Sequence, residues 1–512
     1  MIFLSISFIL VISLSILITF LSITIKKSAI QVVDDMGFGW NLGGSFDCYN
    51  TSIKINNPNE QIMLWKNPIP TKKLITSIKK YGFKTIRLPV TWLHFMDKDG
   101  KVDNIWMNRV KEAVDWIVNS KMYCILNIYN DGLPGNWLSE GIKSKDKYIT
   151  LWTQISREFK DYGEYLIFES MDQVRYKING NDDYVTLFNL NQAFVDTVRN
   201  SGGKNSDRLL IIAGMNKDPE LTCTSEFKIP IDPSNKLAVS IYYYIPSEFS
   251  LEKEDDPWTY TDSYGNTKIV PIKNSWGAEN DYKILFTDFQ IYNDFFVNKG
   301  IPVIITELGV ITEENREIDS IREYLFAEFS ISASYKGIMS CLWDYSNKNN
   351  QIINYFDRIN EKFYDEKIGE NFKKISRGEY AKLIDYSYFS NVDTVSNIDY
   401  RGNLHIRIGK RKVKKIIFNV KLTNYTYTVG FGIASNHRNN SWFIEPIYGS
   451  NGKRKYDKTY TYTIDANKND YTDYIELQKW WGNEYITFNY LSVEFEKKYN
   501  FFDYNLYKDS LK

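Results

Sequence analysis

The residues best placed to do chemistry lie at the ends of two short apolar runs. Ile301-Pro-Val-Ile-Ile-Thr-Glu-Leu-Gly309 carries Glu307 near its end. Tyr165-Leu-Ile-Phe-Glu-Ser-Met-Asp-Gln-Val-Arg175 starts apolar and finishes polar. Both read as buried strands whose ends turn into loops, the pattern by which an α/β barrel builds its active site. Two carboxylates at two such ends would flank a glycosidic bond, one as acid and one as nucleophile. Glu307 meets that requirement, but the other strand ends in Asp172 and Gln173. Glu169 stands earlier in the same run, about 13 Å back along an extended strand at ~3.3 Å per residue, too far to substitute.

The elements that must position these residues form a repeating series. Eight apolar runs occur at Gly37–Leu42, Thr85–Val90, Tyr123–Ile128, Tyr165–Phe168, Leu209–Ala213, Leu237–Tyr243, Pro302–Thr306 and Ile338–Trp343. Helix-like stretches such as Val110–Ser120, Leu187–Asn200 and Ile318–Tyr335 separate them. Strand alternating with helix implies a parallel sheet, and eight units over residues 33–381 predict a (β/α)8 barrel. An open doubly wound sheet is the alternative, but no Gly-rich phosphate-binding turn follows any strand. The loop Ser247–Trp276, with Trp258, Tyr260, Tyr264 and Trp276, is expected to form an ordered cleft wall. Over residues 390–498 the alternation gives way to strands separated by Asn, Gly, Lys and Asp turns, which predicts a β-sandwich. Residues 499–512 form a tail without clear periodicity.

Composition narrows the partners. Lys and Arg number 63 against 63 Asp and Glu, with no sustained basic stripe, so nucleic acid is a poor candidate. Aromatic residues make up 16% of the chain, compatible with glycan binding and equally with a large aromatic core. Residues 2–25 carry no charge, and Lys26 and Lys27 close the run. Segment 1–27 therefore reads either as a membrane anchor, for which about 20 apolar residues suffice, or as a cleaved signal with small residues Ser22 and Thr24 near its end. The positive-inside tendency would hold the following chain in the cytosol. Sequons at Asn50, Asn424 and Asn439 argue instead for an extracellular, secreted or surface-anchored, glycosylated protein. Of the four cysteines, Cys124 and Cys341 lie in apolar runs and are expected as buried thiols. No Cys/His spacing suggests a metal, and no cofactor is expected.

The barrel segment resembles glycoside hydrolase family 5, the cellulase family, and in particular its endo-β-1,4-glucanase and xyloglucanase branch. The motifs that carry the resemblance are Gly39-Trp-Asn-Leu-Gly43, Tyr81-Gly-Phe-Lys-Thr-Ile-Arg-Leu-Pro-Val-Thr-Trp92, Leu166-Ile-Phe-Glu169, Pro302-Val-Ile-Ile-Thr-Glu-Leu-Gly309 and Leu342-Trp-Asp344. They occur in the family's order across residues 35–345. The resemblance implies Glu307 as nucleophile, Arg87 as its supporting cation, Tyr244 as a tyrosine beside it and Trp343 as the sugar platform. It also exposes departures. The family's Asn-Glu at the end of strand four is here Asp172-Gln173, so the acid/base position holds Gln173. Tyr129 and Asn130 occupy the paired histidine positions after strand three. Tyr242 replaces the histidine of a His-x-Tyr pattern, and Val174 replaces a proline. His94, the barrel's one histidine, lies away from both lost positions.

Gln173 has no transferable proton, and general acid–base catalysis supplies about 10²–10⁴-fold. Asp172 would stand where an amide should bind the sugar 2-hydroxyl. The expectation is a cellulase-family protein that binds β-linked polysaccharide with impaired or lost hydrolysis, a pseudoenzyme. The alternatives are a working retaining endo-β-1,4-glucanase using Glu307, and a structural or adhesive protein of the cell surface or cell wall. In the C-terminal segment, Ile475-Glu-Leu-Gln-Lys-Trp-Trp-Gly482 faintly resembles a carbohydrate-binding module, with Trp480 or Trp481 as a sugar platform or as core.

Overall fold

The computed structural model describes residues 26–251 except 179, then 259–261, 267–269, 272–312, 316–345 and 353–379, and beyond these the backbone of strands between 383 and 502. Eight parallel strands close into a barrel in sequence order. They are β1 (Gly39–Asn41), β2 (Thr85–Leu88), β3 (Tyr123–Asn127), β4 (Leu166–Glu169), β5 (Leu210–Ala213), β6 (Leu237–Tyr243), β7 (Val303–Leu308) and β8 (Ile338–Leu342). Each falls within or beside one of the eight apolar runs, so the predicted barrel is observed. The series closes where β1 pairs with β8, Gly39 opposite Cys341. A Cβ on Gly39 would lie 2.5 Å from the Cys341 sulfur, so glycine lets these strands meet. All four cysteines are buried thiols outside any disulfide.

The lumen fills in layers. At its base sits α1 (Ala29–Met36), capped by Ser28, whose hydroxyl accepts from the Gln31 amide at 3.2 Å. Ala29, Val32, Val33 and Met36 fall on one helical face and pack against Ile125, Ile167, Ile211, Ile304 and Met339 from the strands. Two residues further along, the inward positions turn polar. Ile125 is followed by Asn127 and Ile167 by Glu169, the period-two alternation of a strand. Strand β7 breaks the period. Ile304 lies opposite Ser240, yet Glu307 lies opposite Tyr242, with a register shift between Ile305 and Glu307. That bulge brings Glu307 inward, where strict alternation from Ile304 would have placed Thr306.

One expectation changes here. Trp276 does not line a cleft: it is buried against Tyr282 and Tyr324, which lie on the helices Glu279–Phe295 and Ile318–Ser334. Trp258 and Tyr264, and the side chain of Tyr260, lie outside the described residues, as do segment 1–25, Asn424 and Asn439. Beyond the barrel the described backbone forms antiparallel ladders. Leu404–Leu422 pairs with Tyr456–Thr463, Tyr471–Trp481 and Ile486–Phe502. Leu383–Phe389, just before residue 390, also pairs with Ile486–Phe502. Trp480 and Trp481 end the strand Tyr471–Trp481, and their side chains lie outside the described residues.

Candidate active site

Arg87 organises the site. It projects inward from β2, is fully buried, and uses three nitrogens on three carboxylates. Nε donates to Glu169 at 2.7 Å, Nη1 to Glu307 at 2.8 Å and Nη2 to Asp172 at 2.7 Å. Nη1 also donates to the Asn41 side-chain oxygen at 3.1 Å. Burial opposes the guanidinium's charge, but the carboxylates, Glu169 and Asp172 foremost, hold its pKa far above the ordinary value. The planar fork of arginine allows one residue to hold three carboxyl groups at the ends of β4 and β7.

Glu169 is therefore part of the site rather than remote from it. The strand ends at Glu169, and Arg87 bonds both Glu169 and Asp172, so the two carboxylates meet on one guanidinium. Glu169 also accepts from Asn127 at 3.1 Å and from the ammonium of Lys217. Burial would raise its pKa, but Arg87 and Lys217 outweigh burial and keep the carboxyl below its usual range.

Lys217 is the site residue that the sequence did not reveal. It lies four residues beyond β5, is fully buried, and donates to Ser240 Oγ at 2.7 Å as well as to Glu169. Asn216 and Lys217 both adopt left-handed backbone, at φ 54° and 53°. Such conformations in residues other than glycine are uncommon and cluster at functional sites. Here they turn the chain back so that the ammonium enters the barrel. Burial lowers the Lys217 pKa, while Glu169 pulls it up. The only sequence signal was a lysine shortly after a strand end, which a surface loop would show equally.

Two tyrosines at the mouth, Tyr129 and Tyr242, make defined hydrogen bonds to the carboxylates. Tyr129 donates to Glu307 Oε1 at 2.8 Å, and Tyr242 donates to Asp172 Oδ1 at 2.6 Å. Tyr244 reaches the other Glu307 oxygen at 3.3 Å. Burial pushes all three phenols well above their ordinary pKa, so they remain protonated donors. Glu307 is pushed up to about 7, first by burial and then by the negative charge of Asp172, against the pull of Arg87.

The structure thus joins Arg87, Asp172, Tyr129, Tyr242, Tyr244 and Glu307 in one network. Gln173 is exposed beside it. Asn130 stays outside, because its side-chain amide donates to the Asp47 carbonyl at 2.7 Å and holds the loop after β3. His94 also lies apart, accepting from the Asn50 backbone at 3.1 Å. Asn50 itself is exposed.

Flat aromatic faces lead away from the carboxylates. Trp343 stacks on Tyr129 with rings 5.8 Å apart and 11° from parallel. Gly43 leaves room for the indole, since a Cβ there would lie 3.0 Å from it. Tyr345 contacts Trp343 edge-on at 5.8 Å and stacks with Trp65 at 5.3 Å. Trp65 and Tyr345 come together from the loops after β1 and β8, a juxtaposition with no sequence signature.

A closed (β/α)8 barrel with a glutamate at a β7 bulge, held by an arginine and two tyrosines, is a barrel of the glycoside-hydrolase type. Residues 45–349 match the family model for Cellulase (glycosyl hydrolase family 5). The chain belongs to glycosyl hydrolase family 5, the cellulase family. Endoglucanase A of Clostridium longisporum is 34% identical over 331 residues, which are 62% of this chain and 59% of that protein. Endoglucanase A of Paenibacillus barcinonensis is 32% identical over 358 residues, 65% of this chain and 86% of that protein. Among solved structures, a broad specificity endoglucanase from an uncultured bovine rumen ciliate is 51% identical with a TM-score of 0.67, covering 69% of this chain and 99% of that one. A family 5 lichenase from Caldicellulosiruptor, solved as a Glu-to-Gln mutant with cellotetraose, is 30% identical with a TM-score of 0.60, covering 69% and 96%.

Proposed function

We propose that this protein binds a β-glucan-type polysaccharide along the Trp343–Tyr345–Trp65 surface and that its hydrolysis of natural glycans is impaired or lost. The carrying observation is the engagement of Asp172 and Glu169, the two carboxylates that share Arg87 with Glu307. Asp172 is held by Arg87 and Tyr242, and Glu169 by Arg87, Asn127 and Lys217. Neither is available to protonate a leaving oxygen, and Gln173 stands at the acid/base position without a proton to give. The mutant lichenase holding cellotetraose supports the idea that a barrel of this family can bind a glucan chain after a Glu-to-Gln change. The C-terminal strands are read as a β-sandwich of carbohydrate-binding type, with Trp480 and Trp481 as its sugar surface, in a protein acting outside the cell.

The second reading is a working retaining endo-β-1,4-glucanase with Glu307 as nucleophile. The intact Arg87–Glu307–Tyr244 geometry and the endoglucanase names of its relatives favour it. Reducing-sugar release from mixed-linkage β-glucan, xyloglucan and carboxymethylcellulose separates the two, with parent, Gln173→Glu and Glu307→Ala compared. The first reading expects a silent parent that binds β-glucan in affinity electrophoresis, and activity in Gln173→Glu. A parent that cuts, with Glu307→Ala inactive, establishes the second reading.

A further inference from the structure

We propose that the N-terminal face of the barrel is a membrane-docking surface for an anionic bilayer, so that the sugar-binding mouth points away from the lipid. The uncharged run of residues 2–25 ends immediately before Lys26. Lys26 is already on the barrel, 3.3 Å from Asp207, and Lys27 bonds Asp35 at 2.8 Å and Glu164 at 2.9 Å. Ser28 then caps α1, whose apolar face plugs the barrel base. No linker separates the run from that base. An apolar segment held in a bilayer would therefore bring the base, and not the mouth, against the headgroups.

The base is built to meet negative charge. Exposed lysines stand in the loops leading into successive strands: Lys84 before β2, Lys121 before β3, Lys160 before β4, Lys204 before β5, Lys299 before β7 and Lys336 before β8. In a parallel barrel all these loops lie on one face. Two cavities flank α1 there. One, about 570 Å³, is lined by Lys26, Lys27, Lys204 and Lys236 together with Glu164 and Asp207. The other, about 230 Å³, is lined by Lys84, Lys336 and Asp34. The surface is mixed but predominantly basic, although the chain as a whole is neutral. Basic side chains beside a membrane segment gain from anionic lipid within a Debye length. Among the described residues no helix is long and apolar enough to cross a membrane, so residues 2–25 are the segment the proposal commits to.

The test uses the full chain in phosphatidylcholine vesicles with or without phosphatidylglycerol. A water-soluble amine acylating reagent reports lysine accessibility by peptide mass. The expected result is several-fold slower labelling of Lys84, Lys204 and Lys336 with anionic lipid, reversed by high salt. Lys66 and Lys98, exposed in loops at the opposite face, should label at an unchanged rate. The triple variant Lys84→Glu, Lys204→Glu, Lys336→Glu should lose the protection of Lys121 and Lys299 while keeping β-glucan binding. Equal labelling of both faces, protection that ignores lipid charge, or a triple variant still protected would each overturn the proposal. So would a protein that starts after residue 25 when isolated from an exporting host and no longer floats with vesicles.

Discussion

The charge on Glu307 offers a quantitative test of the site. Its carboxyl is raised to about 7 by burial and then by Asp172, which shares Arg87 with it. A carboxyl with a pKa of about 7 is about 1% ionised at pH 5 and about 90% at pH 8. Asp172→Asn removes the neighbouring charge at nearly constant shape. Two unit charges about 4–5 Å apart at an effective permittivity of about 20 repel by about 3–4 kcal/mol, or about 2–3 pKa units, an upper value here because Arg87 lies between them. The assay is covalent trapping by a dinitrophenyl cellobioside carrying fluorine at C2, followed by intact mass. Its leaving group needs no proton donor, so Gln173 does not limit the reaction. The parent's trapping rate should rise about tenfold per pH unit between about pH 5 and 7 and then level. Asp172→Asn should level at lower pH and react at least tenfold faster than the parent at about pH 5. A flat parent profile, or an unmoved midpoint in Asp172→Asn, would refute the electrostatic account. Adduct formation in Glu307→Gln would place the nucleophile elsewhere.

Three further outcomes follow from the same contacts. Lys217→Met leaves Glu169 with one cation in a dry site, and breaking a buried pair in this way costs about 3–5 kcal/mol. Urea unfolding should show that loss, and Lys217→Met with Glu169→Gln should recover part of it. Glu328 is fully buried, accepts from Ser340 at 2.7 Å through one oxygen, and has no partner for the other among the described residues. Burial lifts its carboxyl to about 8. Because the folded value exceeds the unfolded one, its contribution to stability is complete below about pH 4 and is lost as pH rises through about 8, at about 1.4 kcal/mol per pH unit. Glu328→Gln should remove that slope and melt above the parent in mildly alkaline buffer. Trp65→Ala should weaken β-glucan binding about 2–10-fold in titration calorimetry, as loss of about 0.5–1.5 kcal/mol of aromatic contact implies, with little change in melting.

The sequence by itself determined the barrel and the identities of its principal site residues. Eight apolar runs alternating with helical patterns allow few architectures, and a strand's polar end marks the rim at which side chains leave the apolar core. Glu307 was legible at the end of its apolar run, and Arg87, Tyr244 and Trp343 through the resemblance of their strand motifs to the cellulase family. The reading of Asp172, Gln173, Tyr129 and Tyr242 as departures rests on that same resemblance. Only the tertiary structure decided what those side chains contact. Tyr129 and Tyr242 act as donors to Glu307 and Asp172, whereas Asn130 turns to a loop carbonyl. Glu169 joins the site because Arg87 spans the lumen to reach it, and Lys217 joins because two left-handed residues turn its loop inward. The bulge that aims Glu307 depends on pairing with two neighbouring strands, and the Trp65–Tyr345 stack on loops far apart in the chain. Local pattern records which residues a strand carries. The direction in which they point, and the charges they meet across the lumen, arise only when distant strands close the barrel.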